Sequence, residues 1–321
     1  MAVWLCPGQG TQVPRMGADF ILDGRFSLLA DTFAAACRVT GVDVAALALS
    51  GTQEEVDDPF NTQVFTAALT IGIGRELLER GYKPDAMVGF SLGQISALAL
   101  SGMLSVEDTF VLLKERAGGT AQACQERRGA MCALLKASHG EARELCDECA
   151  SGQVLVPANY NAAGQVVISG DTEAVERAQK AWGVKPGKRA ARLNVAGAFH
   201  SPLMEAAAAR TQAAAAGLTF AVPRCMLLCN TDARPFEVAD AARRLGLQVK
   251  SPVMFEQSIN ALLQQGVSEF VELGFGGVLC GLVKRQDRST KRVSLGTVAD
   301  FDEYVGAVEP QDAAEKEAGD E

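Results

Sequence analysis

The five residues Gly89-Phe90-Ser91-Leu92-Gly93 form a G-x-S-x-G pattern, which places a serine on a sharp strand-to-helix turn. Small residues flank the serine because side chains there would collide with neighbouring backbone. Such a turn lifts the hydroxyl above a sheet at a helix N-terminus, where the Leu92 N–H can face a developing oxyanion. The alternative is an ordinary turn with a serine cap. The apolar strand before the turn and the amphipathic segment after it supply the context that a nucleophile needs. A serine nucleophile also requires a base, and the chain has only 2 histidines. His139 lies in the polar stretch Ala137-Ser138-His139-Gly140 and reads as a solvated loop residue. His200, in Gly197-Ala198-Phe199-His200-Ser201-Pro202 just before a helix, is therefore the candidate base.

The elements that must position this pair follow from periodicity. Residues 3–6 are apolar and run into Pro7-Gly8-Gln9-Gly10, a buried strand entering a tight turn. Residues 63–80 carry Val64, Ala67, Ala68, Ile71 and Leu78 at helical spacing. A second buried strand, residues 86–90, leads into the serine turn and a helix. Strands alternating with helices predict an α/β core with a parallel sheet. Residues 128–193 differ, with strands over 130–135, 154–158, 165–169 and 188–193 and helices over 140–150 and 172–182. A hairpin through 159–164 joins the middle strands. This β-α-β-β-α-β order is that of a small ferredoxin-like domain inserted between core segments 1–127 and 194–308. The core resumes with a helix near 201–216, a strand at 226–229, a helix at 255–265 and a strand at 269–272.

Composition excludes several classes. The 321 residues include 30 Lys+Arg and 39 Asp+Glu, a formal net charge of −9. A pI near 5.0 argues against nucleic acid as the main partner, because phosphate binding needs a basic field. The charge is uneven: residues 309–321 hold six acids and one lysine, so −5 sits in a polar segment that predicts a disordered tail. The N-terminus has no basic segment followed by an apolar one, and the longest nearly apolar run, residues 95–104, is about half a membrane span. Nine scattered cysteines fit reduced thiols in a cytoplasmic protein. Cys146-Asp147-Glu148-Cys149 has no second pair at metal-binding spacing and reads as ordinary helix cysteines.

Six motifs occur in order: Pro7-Gly8-Gln9-Gly10-Thr11-Gln12, the serine pentapeptide, Arg116 in Lys114-Glu115-Arg116, residues 159–170 beginning Asn159-Tyr160-Asn161, residues 197–204, and Val271-Glu272-Leu273-Gly274. Together they resemble malonyl-CoA:acyl carrier protein transacylases and the related acyltransferase domains of fatty-acid and polyketide synthases, over roughly residues 3–290. The resemblance implies a hydrolase-like α/β core with a ferredoxin-like insertion. It makes Ser91 the acylated nucleophile and His200 its base, with the Gln9 and Leu92 N–H groups as the oxyanion hole. Arg116, which periodicity alone reads as a helix-surface residue, would hold the malonyl carboxylate in a bidentate fork. Asn159 and Asn161 would lie near the cleft, the alternative being hairpin-turn chemistry. The Met254 carbonyl would steady His200 in place of an aspartate.

Three residues depart from the family pattern: Phe90 where His is usual, Gln94 where Glu is usual, and Cys6 where an aromatic is common. The first two place acyl selectivity in question, since Phe90 would line the acyl pocket. Phe199 before His200 resembles malonyl-selective domains, because its ring leaves little room for an α-methyl branch. The implied activity is ping-pong transfer of malonyl from coenzyme A to the phosphopantetheine thiol of acyl carrier protein, by a cytoplasmic monomer with no bound cofactor. A trans-acting polyketide-synthase or malonate-decarboxylase acyltransferase and, in another class, a serine thioesterase are the rivals. Residues 177–192 and 284–292 are basic runs suited to an acidic carrier.

Overall fold

The computed structural model describes residues 1–195 and 197–311, so most of the expected acidic tail lies outside the described residues. Nine strands form two sheets. In the larger, β1 (Ala2–Cys6), β2 (Ala86–Gly89), β7 (Met226–Leu228), β8 (Glu269–Glu272) and β9 (Lys291–Ser294) run parallel in the order β7-β2-β1-β8-β9. These strands are short and mostly buried on both faces, as expected when helices cover a parallel sheet. Aliphatic and aromatic residues fill both sides, with Trp4, Phe20, Leu29 and Phe65 in one cluster and Leu5, Val88, Phe255 and Phe270 in the other.

The smaller sheet contains β3 (Gly129–Leu135), β4 (Leu155–Ala162), β5 (Gln165–Asp171) and β6 (Arg189–Arg192), antiparallel in the order β4-β5-β3-β6. With helices His139–Ala150 and Thr172–Gly183 it has the expected β-α-β-β-α-β sequence and the ferredoxin-like strand order. Period-2 alternation divides its faces. Ala130, Cys132 and Leu134 pack on the two helices with Trp182, whereas Met131, Ala133 and Val167 face the larger sheet and meet Phe199.

Two details differ from expectation. The strand expected to stop at residue 158 continues to Ala162, leaving only Ala163-Gly164 as the turn. Neighbouring chain explains the extension: the Tyr160 N–H donates to the Val253 carbonyl and the Val253 N–H to the Ala158 carbonyl, both at 2.9 Å. His139 is also not a loop residue, although its side chain stays partly exposed. It opens a helix, lies 4.4 Å ring to ring from Tyr160, and donates from Nε2 to Glu256 Oε2 at 2.8 Å, joining the small sheet to the helix Phe255–Gln264. The two CxxC cysteines are free and lie on the helix, with burial raising the Cys146 thiol to about 12.

Because β1, β2 and β7 are parallel, their C-terminal ends open the loops at one edge of the sheet, where α/β folds place their ligands. The register Cys6↔Gly89 and a 2.9 Å bond from the Phe90 N–H to the Cys6 carbonyl hold the first two loops together. Gly93 makes this approach possible, since a Cβ there would lie 1.8 Å from the Cys6 carbonyl oxygen. Gly93→Ala should therefore destabilise the protein by about 3 kcal/mol or more, through backbone overlap that no rotamer can relieve. Gly140→Ala, on a helix with open space around it, should be neutral or stabilising by up to about 1 kcal/mol. Urea unfolding midpoints of the two variants measure the contrast.

Candidate active site

Ser91 occupies a backbone position that side chains rarely adopt, with φ 52° and ψ −107°, and the helix Leu92–Leu100 begins immediately after it. Such a conformation costs about 1–3 kcal/mol and persists only where neighbours hold it. The neighbour here is Asn230, just beyond β7. Its Oδ1 accepts the Ser91 N–H at 2.8 Å, its Nδ2 donates to the Gly89 carbonyl at 2.6 Å, and its own N–H donates to Gln94 Oε1 at 2.9 Å. Gln248, at the end of the helix Ala241–Lys250, adds bonds from Nε2 to the Ser91 carbonyl at 2.7 Å and to Asn230 Oδ1 at 3.1 Å. Gln94 is therefore wholly buried beneath the elbow and does not face an acyl group. Cys6 is likewise buried, and burial pushes its thiol far up.

The Ser91 Oγ lies 2.7 Å from His200 Nε2. His200 Nδ1 has two carbonyl acceptors, Gln248 O and Ser251 O, both at 3.0 Å. Carbonyls only accept, so the proton resides on Nδ1 and the Nε2 lone pair faces the serine hydroxyl. The Met254 carbonyl does not do this work, contrary to expectation; it accepts the Ser258 N–H and hydroxyl within its own helix turn. Position 254 is too far along the chain because the orienting carbonyls come from the last turn of the preceding helix and the bend after it. Burial, and then the charge of Arg116, lower the His200 value to about 4, with the two carbonyls acting in the opposite sense. The imidazole is thus neutral at pH 7 and ready to accept a proton.

Arg116, on the helix Val106–Glu126, is 3% exposed and not a surface residue. Its Nη2 donates to Ser91 Oγ at 3.2 Å and its Nη1 to Gln63 Oε1. Its Nε has no hydrogen-bond partner, and no carboxylate pairs with it among the described residues. Burial lowers its value to about 10, so it stays a cation at neutral pH. A buried guanidinium without a carboxylate partner beside a serine hydroxyl is costly to fold and is suited to an anionic ligand.

Two connected spaces surround these groups. A chamber of about 90 Å³ contains Ser91 and His200, walled by Gln9, Phe90, Asn159 and Phe199 among others. A cleft of about 420 Å³ between the two sheets leads to it, and Gln9, Phe90 and Asn159 line both. Asn159 and Asn161 lie in β4, buried, and not in the hairpin turn; Asn161 Oδ1, on the cleft, has no hydrogen-bond partner. Leu92 is the first helical residue after the serine, where the N–H has no preceding turn to bond. Asn230, Gln248, Gln63 and Ser251 escaped the sequence reading. Only the Asn after strand 226–228 had a usable signal, as a polar residue ending an apolar strand.

Residues 3–305 match the family described as the acyl transferase domain. The chain belongs to this family. It is 36% identical to the malonyl CoA-acyl carrier protein transacylase of Escherichia coli (strain K12), over 87% of this chain and 90% of that protein. The Bacillus subtilis (strain 168) protein of the same name is 33% identical over 91% and 92%. Among solved structures, malonyl-CoA:acyl carrier protein transacylase from Xanthomonas oryzae superposes with a TM-score of 0.89 at 35% identity, covering 95% of this chain and 98% of that one. A malonyl-transacylase in complex with a type II polyketide-synthase acyl-carrier protein gives 0.89 at 33% identity, covering 96% and 99%. The family's two-sheet architecture is the one described above.

The electrostatics set a pH profile. Ser91 acylation by an activated ester such as p-nitrophenyl acetate should stay flat from pH 8 to about 5, and fall as His200 takes up a proton near pH 4. Removing the cation that disfavours imidazolium should raise the His200 value, so Arg116→Ala should begin its fall at a higher pH than the unaltered protein. An acid limb that stays in place or moves down would refute the coupling.

Proposed function

We propose that the protein transfers a malonyl group from coenzyme A to the phosphopantetheine thiol of an acyl carrier protein, supplying fatty-acid synthesis. The observation that carries this reading is a serine hydroxyl held between a neutral imidazole and a buried cation that lacks a carboxylate partner among the described residues. Membership of the family and the similarity to malonyl transacylases support it. A malonyl thioester presents what this site lacks: a free carboxylate two bonds from the carbonyl under attack.

In this mechanism the substrate carboxylate binds Arg116, which brings the thioester carbonyl to Ser91 Oγ. His200 Nε2 accepts the hydroxyl proton as Oγ attacks. The negative oxygen is stabilised by the Gln9 and Leu92 N–H groups, each contributing about 3 kcal/mol. Collapse breaks the C–S bond, and the His200 proton goes to the departing coenzyme A thiol. The carrier's thiol then enters by the same cleft and gives its proton to His200. It attacks the acyl-serine carbonyl, and Oγ leaves with that proton. Asn159 and Asn161 line the path of the pantetheine arm, Phe90 walls the junction of cleft and chamber, and Phe199 limits the α-carbon to unbranched substrates. The substrate is the coenzyme A thioester itself, and the proposal requires no bound cofactor or metal. Among the described residues no single helix is long and apolar enough to cross a membrane. A cytoplasmic monomer with no nucleic-acid partner is the setting we propose.

Both basic runs keep exposed cations, among them Lys180, Lys185, Arg189 and Arg192 in the first. In the first, Arg177 donates to the carbonyls of Cys149 and Ala150, while Lys188 donates to Glu141 and to the Lys136 carbonyl and lies over the Trp182 ring. In the second, Lys284, Arg285 and Arg288 are exposed. The helix Val278–Gln286 that carries the first two walls the cleft with Val278, Leu279 and Leu282. Arg285 reaches Gln165 of the facing sheet at 2.7 Å. The carrier docks, in this reading, over the 284–288 rim.

Ser91→Ala should abolish the mass increase seen when the protein is incubated with malonyl-CoA, and a persistent adduct would reject Ser91 as the acylated residue. Arg116→Ala should shift loading from malonyl towards acetyl; an unchanged preference removes Arg116 from substrate recognition. Reversing Lys284 and Arg288 to Glu should raise KM for carrier protein about tenfold, since rim charges act chiefly on encounter. An equal or larger effect of Arg189→Glu would move docking to the other run.

A further inference from the structure

Five residues line both the chamber and the cleft: Gln9, Phe90, Asn159, Leu193 and Val195. They form a throat on the route from the cleft to Ser91. Phe90 occupies its larger-sheet side, and its position is fixed. A Cβ added to Gly8 would lie 3.1 Å from Phe90 Cδ1, so the ring is packed directly on the Gly8 backbone. On another side it meets Phe255 edge-on, with centroids 5.4 Å apart and planes at 71°. Leu193 and Val195 lie in the segment that follows the small sheet. The throat therefore carries three apolar side chains, and its polar side chains are Gln9 and Asn159.

A water molecule needs two to four polar partners to be held in place, and a small apolar constriction supplies few. A pantetheine arm needs none there, because its methylenes fill the constriction and its thiol arrives on a covalent tether. The same chamber is used twice in the proposed cycle, and the interval between the two uses is when the acyl-serine ester is exposed to hydrolysis. Hydrolysis would follow the chemistry of transfer with water in place of thiol: His200 takes a water proton, hydroxide oxygen bonds to the acyl carbon, and the C–Oγ bond breaks to give serine and free malonate.

We infer that Phe90, with Leu193 in the same lining, makes the throat selective for a thiol over water, and so sets the lifetime of the acyl-enzyme. This inference rests on the proposed acylation of Ser91. It assigns Phe90 a role in partitioning the intermediate, in addition to lining the acyl pocket. It predicts that polarity at the throat, more than its width, decides how fast the ester is lost.

The test uses the full-length chain. Each protein is acylated with malonyl-CoA, freed of excess reagent, and followed by intact mass in buffer alone and with added pantetheine. The Phe90→Asn ester should decay in buffer about tenfold faster than the unaltered one, while Phe90→Leu should stay within about twofold. Leu193→Asn, in the loop after the small sheet and outside the larger core, should also shorten the lifetime by several-fold. In the two asparagine variants the ratio of pantetheine transfer to hydrolysis should fall by the same factors. Equal lifetimes across the set would overturn the inference, as would a Phe90→Leu ester that decays as fast as the Phe90→Asn one. Should Phe90→Asn not fold, Leu193→Asn alone decides, and an unaltered lifetime in it rejects the throat. If the unaltered protein gains no mass with malonyl-CoA, the acylation reading fails, a result separate from any difference among variants.

Discussion

The Ser91 backbone sits at φ 52° and ψ −107°, and the site depends on the hydrogen bonds that keep it there. Asn230 clips the turn on both sides of Phe90, from the Gly89 carbonyl to the Ser91 N–H, and Gln248 clips both Ser91 and Asn230. Because the Gln248 carbonyl also holds His200 Nδ1, one residue registers Ser91 against His200. The parallel sheet makes this possible. Strands β1, β2 and β7 end at the same edge, so loops distant in sequence meet there without a long excursion. Glycines at 89 and 93 let those loops approach to distances that a Cβ would forbid.

Burial then determines the chemistry. The same exclusion of water lowers both His200 and Arg116, and among the described residues no carboxylate pairs with Arg116, so the site holds a neutral imidazole and an uncompensated cation. Each affects the other: the cation disfavours imidazolium, and an anionic substrate that neutralises Arg116 relieves that effect once bound. A base strengthened only when the right ligand is present gives discrimination beyond shape. The small sheet completes the enclosure by turning Met131, Ala133 and Val167 towards Phe199, and by sending Asn159 and Asn161 into the cleft.

Much of this was legible in the chain. The serine turn, the β-α-β-β-α-β order and the strand at residues 269–272 follow from local periodicity and small residues at fixed offsets, and the structure contains them. The errors share a cause. Residues 159–162 carry turn-forming asparagines, but pairing with the segment at Val253 draws them into a strand. His139 stands in a polar stretch, yet Tyr160 and Glu256 come from elsewhere to pack against it and pair it. Met254 was placed by correspondence with a pattern, whereas the carbonyls that reach His200 are those of Gln248 and Ser251, where one helix ends and the chain bends.

By itself the sequence determined which residue types were present and in what local geometry: a serine at a strand-to-helix turn, two histidines, and an inserted α/β unit. These are short-range properties, set by steric limits on a few consecutive residues and by apolar spacing. Tertiary structure alone decided that Asn230 and Gln248 brace Ser91, and it buried Arg116, which the resemblance had assigned to the site and periodicity to a helix surface, against the serine hydroxyl. It also decided that Lys188 is tied down by Glu141 while Lys284 and Arg288 are exposed. Those outcomes depend on which helix face meets which strand end. That is settled by packing between segments as much as 157 residues apart, which no local spacing encodes.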